Sequence, residues 1–172
     1  MPYLIAAVVL VGLLGLLNLL LIIGVIRRLR RQAAHPSVPP AMLDGPAVGE
    51  RLPEFVATTI DGEPISAELL GGPALIGVFS PTCEPCRDLL PKFAERASRL
   101  SDPVLAVVVS DSAEEAAMDV ARLAKVARVV REEPLGPIQT ALNVNGYPTV
   151  ITTDAAGMVI SSDVDLPDTV HA

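Results

Sequence analysis

Cys83, Glu84, Pro85 and Cys86 form a single C-x-x-C that holds both cysteines of the chain. A continuous apolar run, Ala74 to Phe79, comes just before it. After Pro85, residues Leu89, Phe93, Ala97 and Leu100 recur near helical spacing. The pair therefore lies where a buried strand passes into a helix. On a helix, two sulfurs three residues apart share one side and are close enough to form a disulfide. The first cysteine falls at the helix N-terminus, where unpaired N–H groups and the macrodipole favour negative charge. There a thiol pKa drops from about 8.5 to between about 3.5 and 7.5. This reading makes Cys83 the nucleophile and Cys86 the resolving thiol, with Glu84 and Pro85 tuning the pair. Pro85 costs no hydrogen bond there, because its missing N–H would have no partner in the first turn.

Two other uses of the cysteines fit less well. A zinc site needs four ligands, and beyond the pair the chain offers only His35 and His171, so no metal is expected. A structural staple is the second. Closing so short a loop removes little entropy from the unfolded chain, which makes the bridge a poor stabiliser. Two cysteines are also too few for a disulfide-built scaffold.

The surrounding elements follow from periodicity. Phe55 to Ile60 with Asp61-Gly62 reads as a strand and turn. Ser66, Glu68, Leu69 and Leu70 predict a brief helix ending at Gly71-Gly72. Ala74–Phe79 and Val104–Val109 read as strands buried on both faces. Ala116, Val120, Leu123 and Ala124 mark a helical face, Val126 to Val130 a short strand, and Ile138 to Leu142 a short helix. Thr149–Thr153 and Met158–Ser161 flank Asp154-Ala-Ala-Gly157 as a hairpin. Strand–helix–strand first and a hairpin last predicts an α/β sandwich with a mixed sheet.

Composition adds a division along the chain. Of the 172 residues, 51% are hydrophobic and the net charge is −7. Residues 1–43 carry four Arg and no acid, whereas residues 44–172 hold nine Lys/Arg against twenty Asp/Glu. So acidic a domain argues against a nucleic-acid partner, which would leave a basic footprint. Tyr3 to Ile26 is free of charge and long enough for a bilayer core, which needs about 20 residues. Arg27, Arg28, Arg30 and Arg31 end it. A cleaved signal peptide would show a basic start and an apolar core of only about 7–15 residues, so a retained single-pass anchor is expected. The predicted organisation is an anchor with its basic flank (1–31), a Pro-rich linker (32–49) and a folded domain (50–172). In the anchor, Gly12, Gly15 and Gly24 would let a second helix approach, and Asn18 would hydrogen-bond across such a contact. Ordinary glycines in a lone membrane helix are the simpler reading.

Phe79-Ser-Pro-Thr-Cys-Glu-Pro-Cys-Arg-Asp-Leu-Leu-Pro91 resembles the active-site stretch of thioredoxin-fold oxidoreductases. Gly146-Tyr147-Pro148-Thr149 resembles the loop that carries a cis-proline beside the cysteines in that fold. The resemblance implies that Tyr147-Pro148 is cis, although only about 5–6% of X–Pro bonds are. It also implies that Tyr147, Pro148 and Thr82 bind substrate, the backbone before the proline pairing with a client strand. The anchor, the Val38 to Glu50 lead-in and Ser80-Pro-Thr-Cys together are similar to TlpA-like, MauD-type membrane-anchored thioredoxins of the redoxin group. That likeness implies protein clients bearing thiols or disulfides, a redox partner in the membrane, and no cofactor beyond the Cys83–Cys86 disulfide. No Pro-x-x-x-Thr-x-x-Cys precedes either cysteine, so a peroxidase is not expected.

The chain departs from the family at three places. Gly77 stands where a buried carboxylate usually lies under the site, and Thr82 where an aromatic usually precedes the first cysteine. Water or Glu84 is then left to accept the proton. The last helix of the fold is expected to be absent or short. Redox direction stays open, since such sites span about 150 mV; Glu84 beside Cys83 disfavours the thiolate and leans toward reduction. Sidedness stays in conflict: the Arg cluster favours a cytoplasmic domain, while the resemblance implies an extracytoplasmic one, taken here as the expectation. A non-catalytic thioredoxin-like module that tethers or chaperones a membrane partner is the alternative function.

Overall fold

In the computed structural model the structure describes residues 45–166, together with Gly12 and Gly15, both helical. Among the described residues no helix is long and apolar enough to cross a membrane. The predicted span 3–26 lies outside them, those two glycines apart.

A two-stranded antiparallel ribbon comes first, β1 (Val56–Thr58) and β2 (Pro64–Ser66), followed by the short helix α1 (Ala67–Leu70). The ribbon turns at Asp61-Gly62, where Gly62 adopts φ +83°, a conformation that costs glycine little. Ser66 ends β2 and caps α1, its hydroxyl accepting a hydrogen bond from the Leu69 N–H at 3.1 Å. The sequence predicted one strand here. The second was missed because β2 is short and begins at a proline, which marks edge positions.

The main sheet runs β5-β4-β3-β6-β7. Its strands are β3 (Ala74–Phe79), β4 (Val104–Val109), β5 (Arg128–Glu132), β6 (Thr149–Thr153) and β7 (Val159–Asp163). β3, β4 and β5 are parallel, while β6 and β7 join antiparallel, so the predicted mixed sheet is present. The parallel strands need crossovers, provided by α2 (Glu84–Ala97) and α3 (Ala113–Leu123). Helix α4 (Pro137–Ala141) precedes β6.

Side-chain alternation divides the core between the two faces of the sheet. Ile76, Val78, Leu105 and Val107 face Ile65, Leu70, Ile138 and Leu142. Leu75, Phe79, Ala106 and Val108 face Leu89, Phe93, Ala97 and Leu123 on the other side. Both faces are covered, which is why these strands read as unbroken apolar runs.

Both ends of one expected strand moved. The expected strand Val126–Val130 begins at Arg128, because the N–H groups of Val126 and Ala127 both donate to the Leu123 carbonyl and extend the turn after α3. It ends at Glu132, a charged residue that the sequence reading left outside the strand. Residues 45–49 lie against the domain: Gly45 N–H donates to Asn143 O at 3.0 Å and Gly49 N–H to Val159 O at 2.8 Å. No helix follows β7 among the described residues.

Candidate functional site

The parallel strands β3, β4 and β5 end on the same side of the sheet, and antiparallel β6 begins there. The loops after β3 and before β6 therefore meet. Cys83 and Cys86 lie in the first and Tyr147 and Pro148 in the second.

Cys83 is the N-cap of α2. Its Sγ accepts a hydrogen bond from the Cys86 N–H at 3.2 Å, a contact usually made by a hydroxyl or carboxylate oxygen. Glu84 and Pro85 fill the first turn, as that position favours. The two cysteines are disulfide-bonded, with Cα atoms 5.3 Å apart. Cys83 is partly exposed, whereas Cys86 is 2% exposed. Of the two sulfur-bearing residues, Cys83 is therefore the one open to solvent.

The Tyr147-Pro148 bond is cis, as the resemblance implied; Gly72-Pro73 is also cis, which the sequence reading did not anticipate. The Tyr147 carbonyl oxygen lies 3.3 Å from Cys83 Sγ. A reduced thiol there can donate to it. Pro148 is buried, and Thr149 Oγ1 donates to Gly146 O at 2.9 Å. Thr82 is exposed and hydrogen-bonds Ser80 side chain to side chain at 3.1 Å. It borders a groove formed with Pro81, Arg87, Glu115, Met118 and Asp119. Burial raises the Asp119 carboxyl above its ordinary value, a rise that Arg122 and then Arg87 partly offset.

Gly77 leaves no room for an acid. A Cβ built there would meet the rings of Phe79 and Phe93, each at 2.6 Å. Those rings pack edge to face with centroids 5.0 Å apart, a favoured aromatic geometry. Glu84 is exposed.

A buried carboxylate does occur nearby, and sequence reasoning missed it. Glu132, at the end of β5, is only 5% exposed. Its Oε1 accepts from the Ile138 N–H at 2.8 Å, and its Oε2 from the Gln139 N–H at 3.3 Å and Gln139 Nε2 at 3.2 Å. The buried charge is thereby satisfied, as it must be. Tyr147 Oη in turn donates to Gln139 Oε1 at 2.5 Å. Burial, then the charge of Glu132, raise the tyrosine hydroxyl above its ordinary 10.0, so it remains a donor. No signal in the sequence marked it, because the expected strand stopped at Val130 and an acid beyond an apolar run normally meets solvent.

No family model matches the chain. Over 54 residues it is 46% identical to the methylamine utilization protein MauD of Methylobacillus flagellatus, covering 29% of this chain. The match spans about a quarter (26%) of that relative's length. A solution structure described as a thioredoxin from Neisseria meningitidis is similar, with a TM-score of 0.58 and 23% identity, covering 69% of this chain and 83% of that one. A secreted disulfide oxidoreductase of Mycobacterium tuberculosis, homologous to E. coli DsbE, superposes with a TM-score of 0.56 at 21% identity, covering 69% and 87%. A thio-disulfide isomerase from Thermus thermophilus gives a TM-score of 0.58 at 17% identity, covering 71% and 89%. The fold is thioredoxin-like. These structural relatives are thiol–disulfide enzymes by description, and this chain carries a bonded cysteine pair at the N-terminus of α2.

Proposed function

We propose that the protein is a membrane-anchored thiol–disulfide oxidoreductase of the TlpA-like, MauD-type group. The observation that carries this reading is Cys83: a partly exposed sulfur that caps α2, is bonded to a buried Cys86 and lies against the Tyr147 carbonyl.

In the reducing direction, the Cys83 thiolate attacks one sulfur of a client disulfide. A Cys83–client bond forms, and the other client sulfur leaves as a thiolate that takes a proton from solvent. The Cys86 thiolate then attacks Cys83 Sγ and expels the first client sulfur. Two electrons pass to the client, and the Cys83–Cys86 disulfide is the oxidised product. A dithiol donor, assigned here to a redox partner in the membrane, regenerates the pair. Oxidation of a client dithiol is the same sequence reversed. Glu84 disfavours the thiolate and biases the pair toward reduction. Thr82, Tyr147 and Pro148 form the client-binding rim, the backbone before Pro148 pairing with an extended client segment. No cofactor beyond the redox disulfide enters this chemistry.

The anchor is residues 3–26, and the domain is assigned to the extracytoplasmic side, against the charge bias of the Arg cluster. Reduction of insulin by the reduced full-length protein tests the activity, and a wild-type chain that exchanges with no disulfide overturns it. Labelling Cys83 in intact cells with a membrane-impermeant maleimide tests sidedness. Label appearing only after lysis overturns the extracytoplasmic placement.

A further inference from the structure

We infer that Glu132 is a positioning residue for Cys83, acting through Gln139 and Tyr147 to hold the Tyr147 carbonyl against the Cys83 sulfur. The inference rests on the oxidoreductase reading of the same site and deepens it.

The hydrogen bonds allow one arrangement. Both Glu132 oxygens accept, and the main-chain N–H groups of Ile138 and Gln139 occupy them from one side. The Gln139 amide must then present its Nε2 to Glu132 Oε2, since its carbonyl oxygen there would oppose a carboxylate. The same Nε2 donates a second time, to Glu133 O at 2.9 Å. Gln139 Oε1 is thereby aimed away from the acid and at Tyr147 Oη, so the hydroxyl donates. Every group in the chain has one assigned role, a condition under which a buried polar network rigidifies its surroundings.

The backbone is shaped to make this fit. A Cβ at Gly136 would come within 2.6 Å of Glu132 Oε2, so the glycine gives the carboxylate its space. The preceding Leu135 adopts φ +64°, a region strained for leucine, in the turn that delivers Gln139. At the far end the Tyr147 side chain packs against both cores, while its carbonyl reaches Cys83 Sγ. That oxygen accepts from a thiol and repels a thiolate, so holding it in place keeps the Cys83 pKa higher than the helix terminus alone would set it.

The test compares the full-length wild-type protein with Tyr147→Phe and Glu132→Gln, reading the pH dependence of the alkylation rate of reduced Cys83. Tyr147→Phe keeps the ring and its packing, and Glu132→Gln keeps the shape while freeing the Gln139 amide to reverse. Each variant is expected to lower the Cys83 pKa and to raise KM for a disulfide client about fivefold, the loss of one net hydrogen bond, with little change in kcat. The double variant is expected to shift the pKa no further than either single one, since all three break one path. Unchanged Cys83 pKa values in both single variants would mean that Glu132 serves stability only, overturning the inference; so would additive shifts. Alkylation needs no turnover, so this readout stands even if the protein fails to exchange disulfides, a result that overturns the proposed function instead.

Discussion

The Tyr147 carbonyl oxygen lies 3.3 Å from the sulfur of Cys83, 64 residues earlier in the chain. The Cys86 N–H approaches the same sulfur at 3.2 Å. One group attracts negative charge on the sulfur and the other repels it. The α2 terminus therefore does not act alone on Cys83.

Cys83→Ser is expected to abolish disulfide reduction, because the partly exposed sulfur is removed and Cys86 is buried. Cys86→Ser is expected to attack once and stop, accumulating a mixed disulfide with the client that intact-mass measurement detects. Insulin reduction by the Cys83→Ser protein would show that the roles are wrongly assigned.

Glu84→Gln removes a negative charge beside Cys83 without altering the first turn of α2. The Cys83 pKa is expected to fall by less than about one unit, the scale of exposed charge pairs, and the pair to become slightly more oxidising. The difference should shrink as salt is added, because the carboxylate is exposed. A shift that persists at high salt would point to a cause other than this charge.

Gly77→Ala places a methyl where the rings of Phe79 and Phe93 already stand. Overpacking of this kind costs about 1–3 kcal/mol, read as a lower urea midpoint at unchanged slope. An unaltered midpoint would mean that the two rings can yield.

Asp119→Asn tests a carboxyl whose pKa is raised on folding, chiefly by burial. Below the ordinary value of 3.8 the group is protonated in both states and contributes nothing. As pH rises through 3.8 toward the folded value, the native state holds more protons than the unfolded one, so stability falls; above the folded value the loss is complete. Removing the charge should therefore raise the melting temperature at pH 7 and leave it nearly unchanged well below pH 3.8. An equal gain at both pH values would separate the effect from ionisation.

Much of this architecture was legible in the residues. Ala74–Phe79 and Val104–Val109 were readable as central strands because burial on both faces leaves no polar interruption. Cys83 was readable as a helix cap because Pro85 and the spacing of Leu89, Phe93 and Ala97 mark where α2 starts. Glu132 was not readable. A charge at the end of an apolar run normally marks the point where a strand meets solvent, and only the returning helix α4 covers it.

The amino-acid order by itself determined the C-x-x-C, the strand before it and the helix after it. These depend on local propensity and on hydrophobic spacing over a dozen residues. Tertiary structure alone decided that β6 enters antiparallel beside β3, bringing the Tyr147 carbonyl to Cys83. It also decided that Phe79 and Phe93 fill the space at Gly77, while the buried acid stands two strands away at Glu132. Such relationships are set by which surfaces pack together across the sheet, and no periodicity within a single segment encodes them.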